Sequence, residues 1–575
     1  MDTNHANDPP AKEASGLDQK PTQSEHTMHI EETSWELEDH GDNSAGNADW
    51  SKKQMAAYAS LCMLWVGSQV PLYFVGGSLA YMVKDLGGAQ AQAWLPVCYT
   101  LVLAGICPFV GYLQDLLGRR YMTLGGAVVI LVGSAVVGSA HSFGQGIAGM
   151  CIAGGGAAVG ELTALAGTSE LVPVRKRGLY IGIIILFLLP FCPYVMYSQL
   201  LSTHATWRWT MWISMIYNAI ALVGITLFYF PERIHSTNAG PGLAILTQID
   251  YVGGFLSIVG AVLFLVAIQA GGYTYPWSSA RVLAPLIIGV LLVGIFFVWE
   301  CKVAKHPLIP RELFQGHRAV AISFLAAFVG GMNFYSLLNF FPLSFETLFD
   351  PAPVQVGLKG LGYGFSVTLG AVFFNILLTV FKNHHREVMI IAAVVMTAFG
   401  GALAAVTPET PRLAVALGTI CGFGTGGLLV PPQTIAISCS PDAFIATATA
   451  LSLCVRVIGG SIGYAIYYAI FSNKLTTDLP AKVAAYAVEA GLPVFSVTEF
   501  VGTFLTDPSA VASVEGVTPA ILAAATKGTQ WAYADGLRLV WLTSIPFGVC
   551  AILACCLLGN TKAFMTNRIA AHIRH

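Results

Sequence analysis

Few charged side chains lie inside the apolar runs of this chain, and those few mark where chemistry can occur. Glu161 stands about three-quarters of the way along an apolar run at about 144–166. Arg456 stands near the middle of another at about 446–471. A carboxylate or guanidinium at bilayer depth is costly unless it is paired or faces water, so both are candidates for proton coupling or solute contact. Each also has a plainer role: Glu161 as an ion pair near the membrane surface, Arg456 as a salt bridge holding two helices together. Uncharged polar groups occur at similar depth: Gln69, Tyr73, Tyr194, Tyr197, Gln199, Asn333, Tyr335, Asn339 and Gln433. Such groups either line a solute cavity or bond a neighbouring helix. No nucleophile–base pair, metal cluster or G-x-x-x-x-G-K-[ST] loop stands out, so the expectation is no enzyme, no cofactor, no metal and no ATP-driven pump. The adjacent His384 and His385 read as ordinary loop residues. Ten of the twelve cysteines lie in apolar runs and none forms C-x-x-C, so they read as small hydrophobes.

The elements that must hold these groups follow from composition. Of 575 residues, 55% are hydrophobic and only 10% charged, whereas a soluble domain carries about 25% charged residues. The formal net charge of -2 offers no basic field for nucleic acid. A membrane span needs ~20 apolar residues, and fourteen runs qualify, so the chain reads as an all-α integral membrane protein. Longer polar breaks divide the spans six, two, six. The expected organisation is a disordered cytosolic tail at 1–54, a six-helix bundle at 55–233, two inserted helices with linkers at 234–317, and a second six-helix bundle at 318–575. The second bundle includes a large extracellular loop at 472–535, where short surface helices fit the mild apolar stretches. No signal peptide is expected before the first span. With both termini cytosolic, the inner loops hold twelve Lys and Arg against five outside, as the positive-inside rule requires.

One connection is dense in information. Gly111-Tyr112-Leu113-Gln114-Asp115-Leu116-Leu117-Gly118-Arg119-Arg120 joins two apolar runs and packs three charges and two glycines into a short turn. Gly111 and Gly118 permit a tight turn and close helix approach. Arg119 and Arg120 belong on the cytosolic side. Asp115 is placed to pair with an arginine or to face a helix N-terminus. In span five, Pro190 and Pro193 predict a kink.

The pattern G-x-x-x-D-x-x-G-R-R resembles the signature loop between helices 2 and 3 of the major facilitator superfamily. Further motifs narrow the resemblance in order along the chain: Lys84-Asp85-Leu86-Gly87-Gly88, Glu170-Leu171-Val172-Pro173, Gly271-Gly272-Tyr273-Thr274-Tyr275-Pro276-Trp277, Trp299-Glu300, Pro307-Leu308-Ile309-Pro310, Arg456 to Gly463, and Phe564-Met565-Thr566. Together they are similar to the fungal trichothecene efflux pump family, a relative of siderophore-iron transporters, over roughly residues 55–570. The resemblance implies a major facilitator fold with fourteen transmembrane helices. It implies a monomeric plasma-membrane transporter that exports a small amphipathic toxin, metabolite or drug by proton antiport and alternating access. In facilitators an acid ending span four commonly pairs with an arginine of the helix 2–3 loop, which maps onto Glu170 and Arg119. Pro231-Glu232-Arg233 resembles a motif of the same cluster. Gly111, Asp115, Gly118, Arg119, Arg120, Glu170, Glu232 and Arg233 would then form a cytosolic gating network. Drug antiporters usually carry a glycine–proline motif in span five; the prolines are kept here and the glycines are not. The alternatives are a siderophore-iron importer of the same fold and a non-transporting membrane sensor. Cavity candidates that are mostly Tyr, Gln and Asn lean toward a neutral organic solute.

Overall fold

The computed structural model describes residues 50–569, except 89–90, 232–248, 273, 316–317, 350–352, 507–510, 512–513 and 568. Glu232 and Arg233 therefore lie outside the described residues, as does the tail before Trp50. Among the described residues, fourteen helical spans are long and apolar enough to cross a membrane.

The first four spans are α1 (Lys52–Leu86), α2 (Trp94–Leu117), α3 (Arg119–Gly138) and α4 (Phe143–Leu171). Ser51 opens α1 with a capping box completed by Gln54, and Ser142 caps α4. Gly118 alone separates α2 from α3, with φ of 89° and ψ of 153°, a conformation that suits only glycine. The fifth span is broken into α5 (Arg177–Leu186), a 3₁₀ turn at Leu189–Phe191, and α6 (Tyr194–His204). Pro190 and Pro193 supply no N–H to the helical ladder there, which is why the span cannot run straight. α7 (Arg208–Phe228) completes the first six spans, and α8 (Tyr251–Ala270) and α9 (Ala280–Lys302) form the inserted pair. A short α10 (Glu312–Gln315) leads to α11 (Ala319–Leu348), α12 (Pro353–Val380) and α13 (His385–Ala402). α14 (Pro411–Leu429) and α15 (Pro431–Cys439) form one span that is interrupted at Val430. Last come α16 (Ile445–Glu489), the short α17 (Val497–Thr506) and α18 (Pro519–Cys556).

Small residues set the helix spacing, since lipid gives helices no hydrophobic drive to associate. A Cβ on Gly154 of α4 would stand 2.4 Å from the Tyr99 carbonyl of α2. A Cβ on Gly331 of α11 would stand 2.0 Å from the Arg456 carbonyl of α16. The first six and the last six spans meet along two seams, α2 against α16 and α5 against α12. α8 packs against both α2 and α16.

The expected loop at 472–535 is in large part a helical hairpin. α16 runs on to Glu489, and α18 begins at Pro519 rather than near 537. At about 1.5 Å per residue, the 45 residues of α16 span roughly 68 Å, about twice a ~30 Å hydrocarbon core. Lys482 Nζ binds Asp535 Oδ2 at 2.5 Å and the Trp531 carbonyl at 3.1 Å, clamping the hairpin two residues past Pro480. A separate apolar cluster that includes Val483, Leu492, Phe500 and Ile521 fills it. The mild apolar stretches of this region cover one another, which is why they form helices without reaching span length. His385 also differs from the expectation of an ordinary loop residue: it is buried, with Nε2 2.9 Å from the Leu378 carbonyl and Nδ1 2.8 Å from Thr561 Oγ1.

Candidate functional site

The two mid-depth charges meet. Arg456 Nη2 of α16 donates to Glu161 Oε1 of α4 at 2.8 Å, and Gln69 Nε2 of α1 donates to Glu161 Oε2 at 3.0 Å. Both charged side chains are buried. One carboxylate thus joins two helices of the first six spans to one helix of the last six. Arg456 Nε has no hydrogen-bond partner among the described residues. One turn along α1 from Gln69, Tyr73 stacks on Tyr194 with ring centroids 5.0 Å apart. Tyr335 lies over Gly460, one turn from Arg456. Tyr197 is half-buried against the core of the first six spans.

Other polar candidates bond to nearby backbone and side-chain groups. Gln199 Nε2 donates to the Gly77 carbonyl at 3.0 Å, and Gln433 Nε2 to the Thr449 carbonyl at 3.3 Å. Asn339 Nδ2 bonds its own helix at the Tyr335 carbonyl, 2.7 Å away. Asn333 accepts from Tyr467 at 3.3 Å inside the second bundle, beside a small cavity of about 10 Å³ also lined by Ser336, Thr397 and Ser544. That volume holds about one water.

The second cluster lies at the end of the bundle where α2 meets α3. Arg119 is buried and pairs with Glu170 at the end of α4, with Asp115 Oδ1 3.5 Å from its Nη2. Asp115 also caps α16, accepting from Ala446 N at 3.3 Å, Thr447 N at 2.9 Å and Thr447 Oγ1 at 2.8 Å. A carboxylate at a helix N-terminus is favoured by the exposed N–H groups and the helix dipole. Gly111 makes this contact possible, since a Cβ there would stand 2.6 Å from Ala450 Cβ and 3.0 Å from the Ala446 carbonyl. Arg120 does not join the carboxylates. It donates to the Tyr229 and Thr226 carbonyls and lies over Phe230, 3.5 Å from the ring centroid.

Sequence reasoning missed a second cross-bundle link at this end. Arg177 is buried, donating from Nε to the Ser169 carbonyl at 2.8 Å and from Nη1 to the Ile437 carbonyl at 3.0 Å. Its Nη2 lies 3.7 Å from Asp442 Oδ1. The available signal was the position of Arg177, which ends the basic run Arg175-Lys176-Arg177 where α5 begins. Ser169 and Ile437 are buried, and Asp442 stays partly exposed.

Fourteen apolar spans with this connectivity make the chain a multi-pass integral membrane protein, and the two bundles with facing seams define a major facilitator transporter. Solved structures agree on the fold. The human organic anion transporter MFSD10 (TETRAN) aligns with a TM-score of 0.52 at 12% identity, covering 88% of this chain and 100% of that one. The proton:xylose symporter XylE aligns with a TM-score of 0.51 at 13% identity, covering 90% and 98%. The family model described as fungal trichothecene efflux pump (TRI12) matches residues 37–575, and the chain belongs to that family. Similar proteins include the MFS-type efflux transporter ffsH of Aspergillus flavipes, 27% identical over 486 residues, 83% of this chain and 82% of the relative. The MFS-type efflux pump LUC4 of a Fusarium species is 25% identical over 505 residues, 86% of this chain and 84% of the relative.

Proposed function

We propose that this transporter exports a small amphipathic toxin, metabolite or drug across the plasma membrane in exchange for protons. The observation that carries the reading is the bridge from Glu161 to Arg456 and Gln69 at mid-depth. Removing one partner of a buried ion pair costs about 3–5 kcal/mol, so the bridge dissolves only when something replaces the lost interaction. A proton entering on Glu161 neutralises the carboxylate, and water or solute takes up the Arg456 donors. The link between the two bundles is then broken where they must part. The carboxylate cycles between an Arg456-paired, ionised form and a protonated form, and each suits one orientation of the bundles. The cluster of Asp115, Arg119, Glu170, Arg177 and Asp442 acts as a latch at the cytosolic end. Both termini are cytosolic, as the distribution of Lys and Arg supports. Breaking the latch permits inward opening, and differential affinity for solute and proton supplies the bias between states.

The test is transport by the full chain in vesicles with an imposed pH gradient, screened against mycotoxins, azoles and ferric siderophores. Gradient-dependent loss of an amphipathic toxin or drug supports the reading. Uptake of a ferric siderophore with no efflux overturns it.

A further inference from the structure

The seam between α2 and α16 has a readable register. The two helices run antiparallel, since Asp115 near the end of α2 caps the start of α16 at Ala446 and Thr447. One turn back along α2, Gly111 faces Ala450, and a Cβ on Gly111 would stand only 2.6 Å from that of Ala450. Each four-residue step back along α2 thus matches a four-residue step forward along α16. The next step sets Cys107 against Cys454. Both are buried, at 0% and 6% exposure, in one apolar cluster. Cys107 has Cys454, Glu161 and Arg456 among its ionisable neighbours, so the pair stands beside the mid-depth bridge.

All twelve cysteines are free thiols, so the pair is reduced in this structure. A disulfide requires Cα atoms about 4.4–6.8 Å apart. Helices come that near where small residues face each other, as Gly111 and Ala450 do one turn away. The pair differs from Cys98 and Cys151, whose thiols also meet within hydrogen-bonding reach. Those two lie on α2 and α4, both in the first six spans, so a bond there would join helices of one bundle. Cys107 and Cys454 belong to different bundles. A bond between them would cross the surface along which the bundles part.

We propose that Cys107 and Cys454 are a peroxide-sensitive thiol pair whose oxidation to a disulfide stops the bundles from parting. The thiolate is the reactive form of cysteine. It is reached when inward opening at the latch lets water and hydrogen peroxide between α2 and α16. One sulfur attacks a peroxide oxygen: the S–O bond forms, the O–O bond breaks, and a sulfenic acid and one water result. When the seam closes, the facing thiol attacks the sulfenic sulfur. The S–S bond forms, the S–O bond breaks, and a second water leaves. Two electrons pass from the sulfur pair to one peroxide, and both thiol protons end in water. The cytosolic end is then held shut. Glutathione reverses the bond through a mixed disulfide, and two molecules leave as oxidised glutathione. This rests on the alternating opening in the efflux reading, not on the solute or on proton coupling.

The test uses the full chain in liposomes, with no gradient and no solute, so it fails separately from the efflux reading. After hydrogen peroxide treatment, the remaining thiols are alkylated and the digest is read by mass spectrometry. The expected product is a cross-linked peptide joining Cys107 to Cys454, absent after dithiothreitol. Hydrogen exchange at Ile445–Ala450 should slow about fivefold with the link and recover with dithiothreitol. Cys107→Ala and Cys454→Ala should each abolish both effects, whereas Cys98→Ala should leave them in place. Recovery of both thiols in alkylated form, a link confined to Cys98 and Cys151, or exchange that slows equally in Cys107→Ala would overturn the proposal.

Discussion

Glu161 and Arg456 are 295 positions apart in the chain and 2.8 Å apart in space. Neither α4 nor α16 can leave the other without parting them, so the two bundles cannot separate along these helices with the ion pair intact.

Glu161→Gln keeps the shape of the side chain and removes its charge. Gradient-driven efflux should fall to background while solute exchange across the membrane without a gradient is retained. Unchanged coupling would remove Glu161 from the mechanism. The single variant leaves Arg456 buried without a counter-charge and should lose about 3–5 kcal/mol of stability. Adding Arg456→Gln should recover part of that loss, as read by thermal unfolding in detergent.

Gly111→Val forces a side chain into the space held by Ala450 and the Ala446 carbonyl. The α2–α16 contact should open at the latch end. Labelling of Ala450→Cys by a water-soluble maleimide should then rise about tenfold relative to the same cysteine on the Gly111 background. No change would mean that α2 and α16 do not part there.

Arg177→Lys keeps the charge but loses the planar fork that reaches the Ser169 and Ile437 carbonyls together. It should behave more like Arg177→Gln than like the unmodified protein. Both should lose about 2–3 kcal/mol and increase maleimide labelling at the latch end. Full rescue by lysine would show that only the charge matters.

Gly118→Ala places a Cβ in a backbone region that non-glycine residues avoid, at a cost of about 1–3 kcal/mol. Unfolding temperature should drop, with the α2–α3 turn gaining hydrogen exchange before the helices do. An unchanged unfolding temperature would mean that the turn relaxes freely.

The spans were legible because each must be about 20 apolar residues long whatever its neighbours are. The Pro190–Pro193 break was legible for a similarly local reason. The hairpin formed by the ends of α16 and α18 was not, because its helices are stabilised by each other and by the Lys482–Asp535 clamp. The site divides in the same way. Asp115, Arg119 and Glu170 stood out as charges crowded at span ends. Asp442, in contrast, sits in a connection without Lys or Arg, and its partner lies in another bundle. Gln199, Gln433 and Asn339 read equally as cavity groups or as partners of a helix, and each donates to a backbone carbonyl. Polarity at depth reports that a partner exists and leaves its identity to the packing.

The length of α16 gives the molecule a mechanical property. A single helix, lacking one backbone hydrogen bond at Pro480, links the Asp115 cap at Ala446, the charge at Arg456 and the hairpin beyond Phe471. A helix resists stretching far better than bending, and the one proline on its protruding stretch is braced by Lys482. Displacement at the latch is therefore carried to the opposite surface as on a pointer. An antibody fragment or spin label fixed to that tip would register, from one face of the membrane, what the ion pairs are doing on the other.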